Sequence, residues 1–362
     1  MGGTEQNYIN SAFEQNWIAP LGPNVDGFES DISEFLGEES KVAVLSSGTA
    51  AIHLGLKLLT VESGDEVICQ SFTFSASANP IAYLGARPVF VDSERDTWNI
   101  CPIQLEKAIL DRIANGVKPK AIIAVHLYGM PYKVKEIQAI SEKYDIPVLE
   151  DSAEALGSTV NGVKCGTFGD VGVLSFNGNK IITTSGGGAL ISKNQKIKEK
   201  AIFLATQARD NAIHYQHSEI GHNYRMSNIL AGIGRGQMEV LQDRVDARRN
   251  NYAIYKKELS PFKELEFSED IPGYYSNHWL TAVLVSSYEI REKIRLALLK
   301  ENVESRPLWK PMHMQPVFRN SMCYTNGVSE DLFNRGLCLP SGSNLSKEDL
   351  FRVIELIKKE IV

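Results

Sequence analysis

Three groups of residues in this sequence have types and spacing that suit chemistry. The first is Lys180, the one amine between Asp170 and Leu190. It follows the turn-former Asn177-Gly178-Asn179 and precedes Ile181-Ile182, Thr183-Thr184-Ser185 and the glycines Gly186 to Gly188. Among apolar residues and short hydroxyls an amine is partly desolvated, which favours its neutral form, a nucleophile able to form a Schiff base with a carbonyl. The plain alternative is a solvated loop lysine beside a Gly-rich hairpin. The second group is Ser47-Gly48-Thr49, set between the apolar run Lys41 to Ser46 and a segment with helical apolar spacing at Ala51, Leu54, Leu58 and Leu59. A strand that gives way to a helix through Ser-Gly-Thr leaves backbone N–H groups and hydroxyls free to hold a phosphate. An ordinary N-cap uses the same residue types. The third is Asp151, a carboxylate that ends the apolar run Ile146 to Asp151; a helix cap or a core ion pair is its structural alternative.

These groups need a frame that brings them together. Apolar runs at 41–46, 66–70, 87–92, 120–126, 146–151 and 171–176 read as buried strands. Helical patterns lie between most of them, with 102–114 and 134–144 the clearest. Such alternation implies a mainly parallel α/β sheet, in which ligands gather at the carboxyl ends of strands. Ser47, Phe74, His126 and Asp151 each lie just past a strand end and could share one rim, with His126 read as structural or peripheral rather than catalytic. Beyond Leu190 the pattern becomes helical, with Ser227 or Asn228 as a cap and the charged run 242–250 as a solvated linking helix. The expected division is therefore a large domain over 1–240 and a smaller α+β domain over 241–362.

Bulk properties narrow the class. With 43% apolar and 23% charged residues, the 362-residue chain has an ordinary globular composition. Its net charge of -6 and the lack of a basic block argue against nucleic acid as partner. The five cysteines are scattered without a C-x-x-C pair, so neither a disulfide framework nor a metal site is expected, in keeping with a reducing cytoplasm. No apolar run reaches membrane-spanning length.

An amine for an aldehyde, a seat for a phosphate and an anion for a pyridine nitrogen are together what pyridoxal 5'-phosphate requires. Phe72 or Phe74 offers an aromatic face for its ring. In these features the chain resembles the DegT/DnrJ/EryC1/StrS family of pyridoxal-phosphate sugar aminotransferases over essentially its whole length. The resemblance is carried by Ser46-Ser-Gly-Thr-Ala-Ala, Phe72-Thr-Phe-Ser-Ala-Ser, His126-Leu-Tyr-Gly, Leu149-Glu-Asp-Ser-Ala-Glu-Ala-Leu-Gly, Phe168-Gly-Asp, Ser175-Phe-Asn-Gly-Asn-Lys, Gly221-His-Asn-Tyr-Arg-Met-Ser-Asn and Arg306-Pro-Leu-Trp-Lys-Pro-Met-His.

The resemblance implies the aspartate-aminotransferase fold (fold type I), with Lys180 binding the cofactor covalently and Asp151 pairing with its pyridine nitrogen. Glu154 would lie by the ring hydroxyl, where many members carry glutamine or histidine; a carboxylate there must be protonated or share a proton. Gly48, Thr49 and Ser175 would hold the phosphate, and Phe74 would stack on the ring. Asn223 would reach the phosphate of a neighbouring subunit, making the active unit a homodimer with shared sites. Arg306 and His313 would approach the substrate, with an ion pair and a Pro-rich turn as their structural alternatives. Family chains carry a short extended segment before the Gly-Gly-x-Glu motif, whereas here Met1 directly precedes Gly2-Gly3. The segment Phe176–Gly188 is most similar to the branch acting on UDP-linked 4-keto-6-deoxy-N-acetylhexosamines. That branch implies transfer of an amino group from L-glutamate to the C4 ketone, for surface glycan or polysaccharide synthesis. A 3-keto-sugar aminotransferase and a non-catalytic binder of cofactor and nucleotide sugar are the alternatives.

Overall fold

The fold, a computed structural model, describes residues 1–361. The apolar runs assemble into one eight-stranded sheet. Its spatial order is Lys41–Leu45, Gly188–Ser192, Val171–Ser175, Val148–Asp151, Ala121–Val125, Glu66–Gln70, Arg87–Val91 and Met322–Tyr324. Neighbours are parallel except around Gly188–Ser192, which runs against both of the strands beside it. The α/β class expected from the alternation is therefore the class observed.

The exception matters for the site. Val171–Ser175 pairs with Gly188–Ser192 from Gly172 opposite Ile191 to Ser175 opposite Gly188. The segment 176–187 that carries Lys180 is thus the connection of an antiparallel pair at the sheet's carboxyl end. Both of its ends are fixed by ladder hydrogen bonds, so the lysine rests on a rigid base rather than a free loop.

Helices cover both faces because the strands are apolar on both. Gly48–Leu58, Ser75–Tyr83 and Gln195–Ala205 contribute to the core on one face. Pro102–Ala114 and Val134–Tyr144 pack on the other, and Pro23–Leu36 with Asn228–Met238 covers the end near Lys41–Leu45. Ser227 caps Asn228–Met238, its Oγ accepting from the Leu230 amide at 3.2 Å. The charged run is helical as expected, but the helix breaks at 239–240 and restarts as Leu241–Leu259.

Beyond it stands a four-stranded antiparallel sheet, Leu265–Glu266, Thr281–Val285, Gly336–Leu339 and Arg306–Pro307. Its core is shared with Leu241–Leu259, Tyr288–Lys300 and Lys347–Ile361. Two short strands cross the expected division at residue 240. Met322–Tyr324 joins the edge of the large sheet beside Arg87–Val91. Tyr274–Tyr275 pairs with Thr159–Val160, which also pairs with Val163–Lys164. Strands of two or three residues carry no readable alternation, which is why the sequence pattern missed them. Among the described residues no helix is long and apolar enough to cross a membrane.

Candidate active site

A cavity of about 1410 Å³ opens at the carboxyl ends of the large sheet and extends to the second sheet. Ser47, Gly48, Thr49, Phe74, Asp151, Glu154, Ser175, Lys180 and Arg306 all line it. Those of the large sheet converge there because each lies at or past the carboxyl end of a strand whose register is fixed by its neighbours.

The anion seat is built first. Ser47 is the N-cap of Gly48–Leu58, and its Oγ accepts from the Ala50 amide at 3.0 Å. The capping and phosphate-holding readings are therefore compatible. Ser47 satisfies the third helical amide, while the helix geometry leaves the amides of Gly48 and Thr49 without intrahelical acceptors. Gly48 is required by a close approach, since a Cβ there would lie 3.0 Å from Ser175 Cβ. Across the strand pair, a Cβ on Gly188 would collide with the backbone of Ser47 and Gly48. Two glycines thus let a strand, a helix start and Ser175 meet in one small cup.

The carboxylate comes next. Asp151 is 4% exposed, and its Oδ2 accepts from Ser77 Oγ at 2.6 Å. Ser77 is joined in turn to Thr73 Oγ1 at 2.8 Å. The Ala153 amide reaches Asp151 Oδ1 at 3.2 Å. Asp151 is therefore neither a helix cap nor half of an ion pair; it is a carboxylate held by the Ser77 hydroxyl and the Ala153 amide and lining the cavity.

Lys180 follows a turn closed by its own amide on the Asn177 carbonyl at 3.0 Å. Its side chain is 11% exposed, so the expected desolvation is present. Its surroundings differ from the apolar and hydroxyl set expected. Glu154 Oε1 lies 3.6 Å from Nζ, and the Trp279 ring centroid 4.1 Å from it. Burial pushes the Glu154 carboxyl up to about 7, against the opposing pull of Lys180 and of the Tyr128 amide, which donates to Oε2 at 2.6 Å. This carboxyl thus keeps its proton to a higher pH than a free glutamate.

Other expected residues fall elsewhere. Phe74 lines the cavity, 53% exposed, with its ring 5.4 Å from Trp309. Arg306 also lines it and pairs with Glu304 on the exposed rim. His313 lies outside the lining: Nδ1 is 2.6 Å from Ser71 Oγ and Nε2 is 3.2 Å from Glu330 Oε1. Asn223 is exposed, also outside the lining, on the loop bridged to Thr206. His126 does not share the rim either. It is fully buried, stacks on Tyr132 and lies 2.7 Å from Glu150, whose carboxylate also accepts the amides of Gly166, Phe168 and Gly169. That closed network anchors the turn before Val171–Ser175 and leaves the ring no freedom for other work.

Sequence reasoning missed Trp279, Trp309 and Ser77. Trp279 precedes an apolar strand and reads as core, while Ser77 is one hydroxyl in a run of small residues. Only tertiary contact separates them from their neighbours.

The residues present fit pyridoxal 5'-phosphate: an amine, a hydroxyl-held carboxylate and a glycine-lined helix start border one cavity, with a further aromatic wall. Lys180 would hold the aldehyde, Asp151 the ring nitrogen, and Gly48, Thr49 and Ser175 the phosphate. Together, fold and site define a pyridoxal-phosphate enzyme of the aspartate-aminotransferase fold. Residues 1–358 match the DegT/DnrJ/EryC1/StrS aminotransferase family, and the chain belongs to it. It is 53% identical to EpsN of Bacillus subtilis (strain 168), by name a pyridoxal phosphate-dependent aminotransferase, over 99% of this chain and 93% of that one. GDP-perosamine synthase of Escherichia coli O157:H7 is 35% identical over 99% of this chain and 95% of its own. A crystal structure of a DegT DnrJ EryC1 StrS aminotransferase from Brucella abortus superposes with a TM-score of 0.93 at 29% identity, covering 99% of this chain and 95% of that one. The protein is a pyridoxal-phosphate-dependent aminotransferase.

Proposed function

We propose that the protein transfers an amino group from L-glutamate to the C4 ketone of a UDP-linked 4-keto-6-deoxy-N-acetylhexosamine, giving a 4-amino sugar for surface polysaccharide. The observation that carries the reading is one cavity of about 1410 Å³ lined by Lys180, Asp151 and the Ser47–Thr49 cup of the large sheet and also by Arg306 of the second sheet. That volume exceeds what a cofactor fills and leaves space for a sugar nucleotide. The resemblance of Phe176–Gly188 to the UDP-sugar branch supports the choice of substrate. Unpaired thiols at all five cysteines support a cytoplasmic setting. The exposed Asn223 supports a homodimer in which each subunit completes the other's anion seat.

When bound, pyridoxal 5'-phosphate supplies an aldehyde that accepts the amino group and a ring that accepts electrons. The chain supplies proton transfer and position. Lys180 Nζ would take a proton from Cα of the amino donor and give one up to the cofactor's aldehyde-derived carbon; in the second half it would reverse this and deliver a proton to C4 of the sugar, on the one face it occupies. Glu154, 3.6 Å away, keeps an exchangeable proton beside that nitrogen. Asp151, oriented by Ser77, would pair with the ring nitrogen and favour its protonated form. Gly186 and Gly187 line the cavity with the lysine and would leave room for the sugar; Arg306, exposed on the same cavity, would meet the nucleotide's charge.

The test is transamination with L-glutamate and a panel of 4-keto and 3-keto sugars linked to UDP, GDP or dTDP, with NMR of each product. The expected product is the UDP-linked 4-amino sugar. Turnover confined to GDP-linked or 3-keto substrates would overturn the substrate assignment. No conversion of the bound cofactor by glutamate alone would favour a binding module.

A further inference from the structure

We propose that Trp279 is a positioning residue for Lys180: its indole face holds the lysine amine beside Glu154, and its Nε1–H fixes the loop that carries the lysine. This rests on Lys180 as the cofactor-binding amine. Trp279 is 2% exposed, yet its ring lines the cavity. The ring centroid is 4.1 Å from Lys180 Nζ, within the range in which an ammonium is drawn to an indole face. Nε1–H donates to the Asn179 carbonyl at 2.7 Å, so the same side chain grips the residue directly before the lysine. A tryptophan serving the core alone would have no reason to bind that loop twice, once at the amine and once at the backbone.

The indole is itself held from several directions. The Trp279 amide donates to Asn277 Oδ1 at 2.8 Å, and Arg248 donates to the Trp279 carbonyl. Asn277 Nδ2 donates to the carbonyls of Glu154 and Leu156, each at 2.9 Å. Between them His278 adopts φ 46, the left-handed turn that redirects the chain from Asn277 into Trp279. One three-residue segment of the second unit therefore fixes both the loop of the lysine and the loop of its carboxylate neighbour. The charged and titratable groups sharing the cavity with Lys180 are Asp151 and Glu154 at and just past the end of Val148–Asp151, Glu292 and Arg295 from Tyr288–Lys300, Glu304, Arg306 and Lys310 in and around Arg306–Pro307, and Cys338 from Gly336–Leu339. Among these groups it is the indole face that lies 4.1 Å from the lysine nitrogen, where a cation is attracted to it.

The experiment compares the purified holoenzyme with W279F and W279L. The visible absorbance of the bound cofactor is titrated with pH, and pyridoxal phosphate uptake by the cofactor-free proteins is timed. Borohydride reduction and peptide mass mapping report which lysine carries the cofactor. W279L is expected to lower the absorbance midpoint by about one pH unit, the size of a desolvated cation–π contact. W279F, which keeps an aromatic face, is expected to shift it by less than half as much. Both lose the donor to Asn179 and are expected to slow uptake by roughly threefold to tenfold, the scale of one hydrogen bond. Unchanged midpoints and uptake rates in both variants would overturn the proposal. Should W279L fail to fold, W279F decides alone, and wild-type uptake in it refutes the anchoring role. Labelling of a lysine other than Lys180 overturns the underlying assignment, and this proposal with it.

Discussion

Glu154 offers a prediction whose size can be worked out. Its carboxyl is 5% exposed, accepts the Tyr128 amide, and is pushed by burial from the ordinary 4.5 to about 7 in the cofactor-free protein. An acid whose folded value is raised binds its proton more tightly in the native state than in the unfolded chain. Its contribution is therefore most favourable below 4.5 and is lost as pH rises from there through about 7. With those two values, linkage gives a loss of about 2.5 kcal/mol between about pH 5 and pH 8. Glu154→Gln imitates the protonated carboxyl: the amide oxygen can still accept from Tyr128, and Lys180 faces a neutral group at every pH. The assay is urea unfolding of cofactor-free wild type and variant at several pH values. The two should be nearly equal in stability at about pH 5, and the variant should gain steadily, reaching an advantage of about 2.5 kcal/mol by about pH 8. Parallel pH dependence of the two proteins would refute the reasoning, because it would mean that Glu154 is ionised in the folded protein across the whole range.

Two further perturbations probe separate parts of the site. Lys180→Ala should abolish steady-state transamination, while inorganic phosphate still protects the cofactor-free variant in thermal unfolding as it does the wild type; measurable turnover would remove the lysine from its role. Gly188→Ala would drive a methyl group into the backbone of Ser47 and Gly48. It should cost about 1–3 kcal/mol of stability and weaken pyridoxal phosphate binding at least tenfold, read by urea unfolding and cofactor titration.

The parts of this molecule that could be read from sequence share a physical basis. Long apolar strands and amphipathic helices announce themselves by period, so the large sheet and most of its helices were legible. Lys180, Asp151 and Ser47–Thr49 were legible because each breaks a local pattern at a strand end, where a parallel sheet gathers its ligands. What stayed hidden depends on contacts between segments distant in the chain. His126 lies past a strand end as Asp151 does, yet Glu150 and Tyr132 capture it beneath the rim. Trp279 is the reverse case: nothing at 277–281 distinguishes it from a core residue opening a strand, and its meaning arises only where it meets Asn179 and Lys180, 100 and 99 positions upstream. Glu154 lies between the two. The resemblance implies a carboxylate where many family members carry glutamine or histidine, but the direction of its proton equilibrium follows from its burial and its two neighbours. A charge that the chain must bury beside its reactive amine costs stability at neutral pH. Its retention is therefore expected to be visible in the pH dependence of the lysine, which Glu154→Gln and W279L should shift in the same direction: each removes a group that favours positive charge at Nζ. Opposite shifts in the cofactor's absorbance midpoint would mean that Glu154 acts on the ring and not on the lysine.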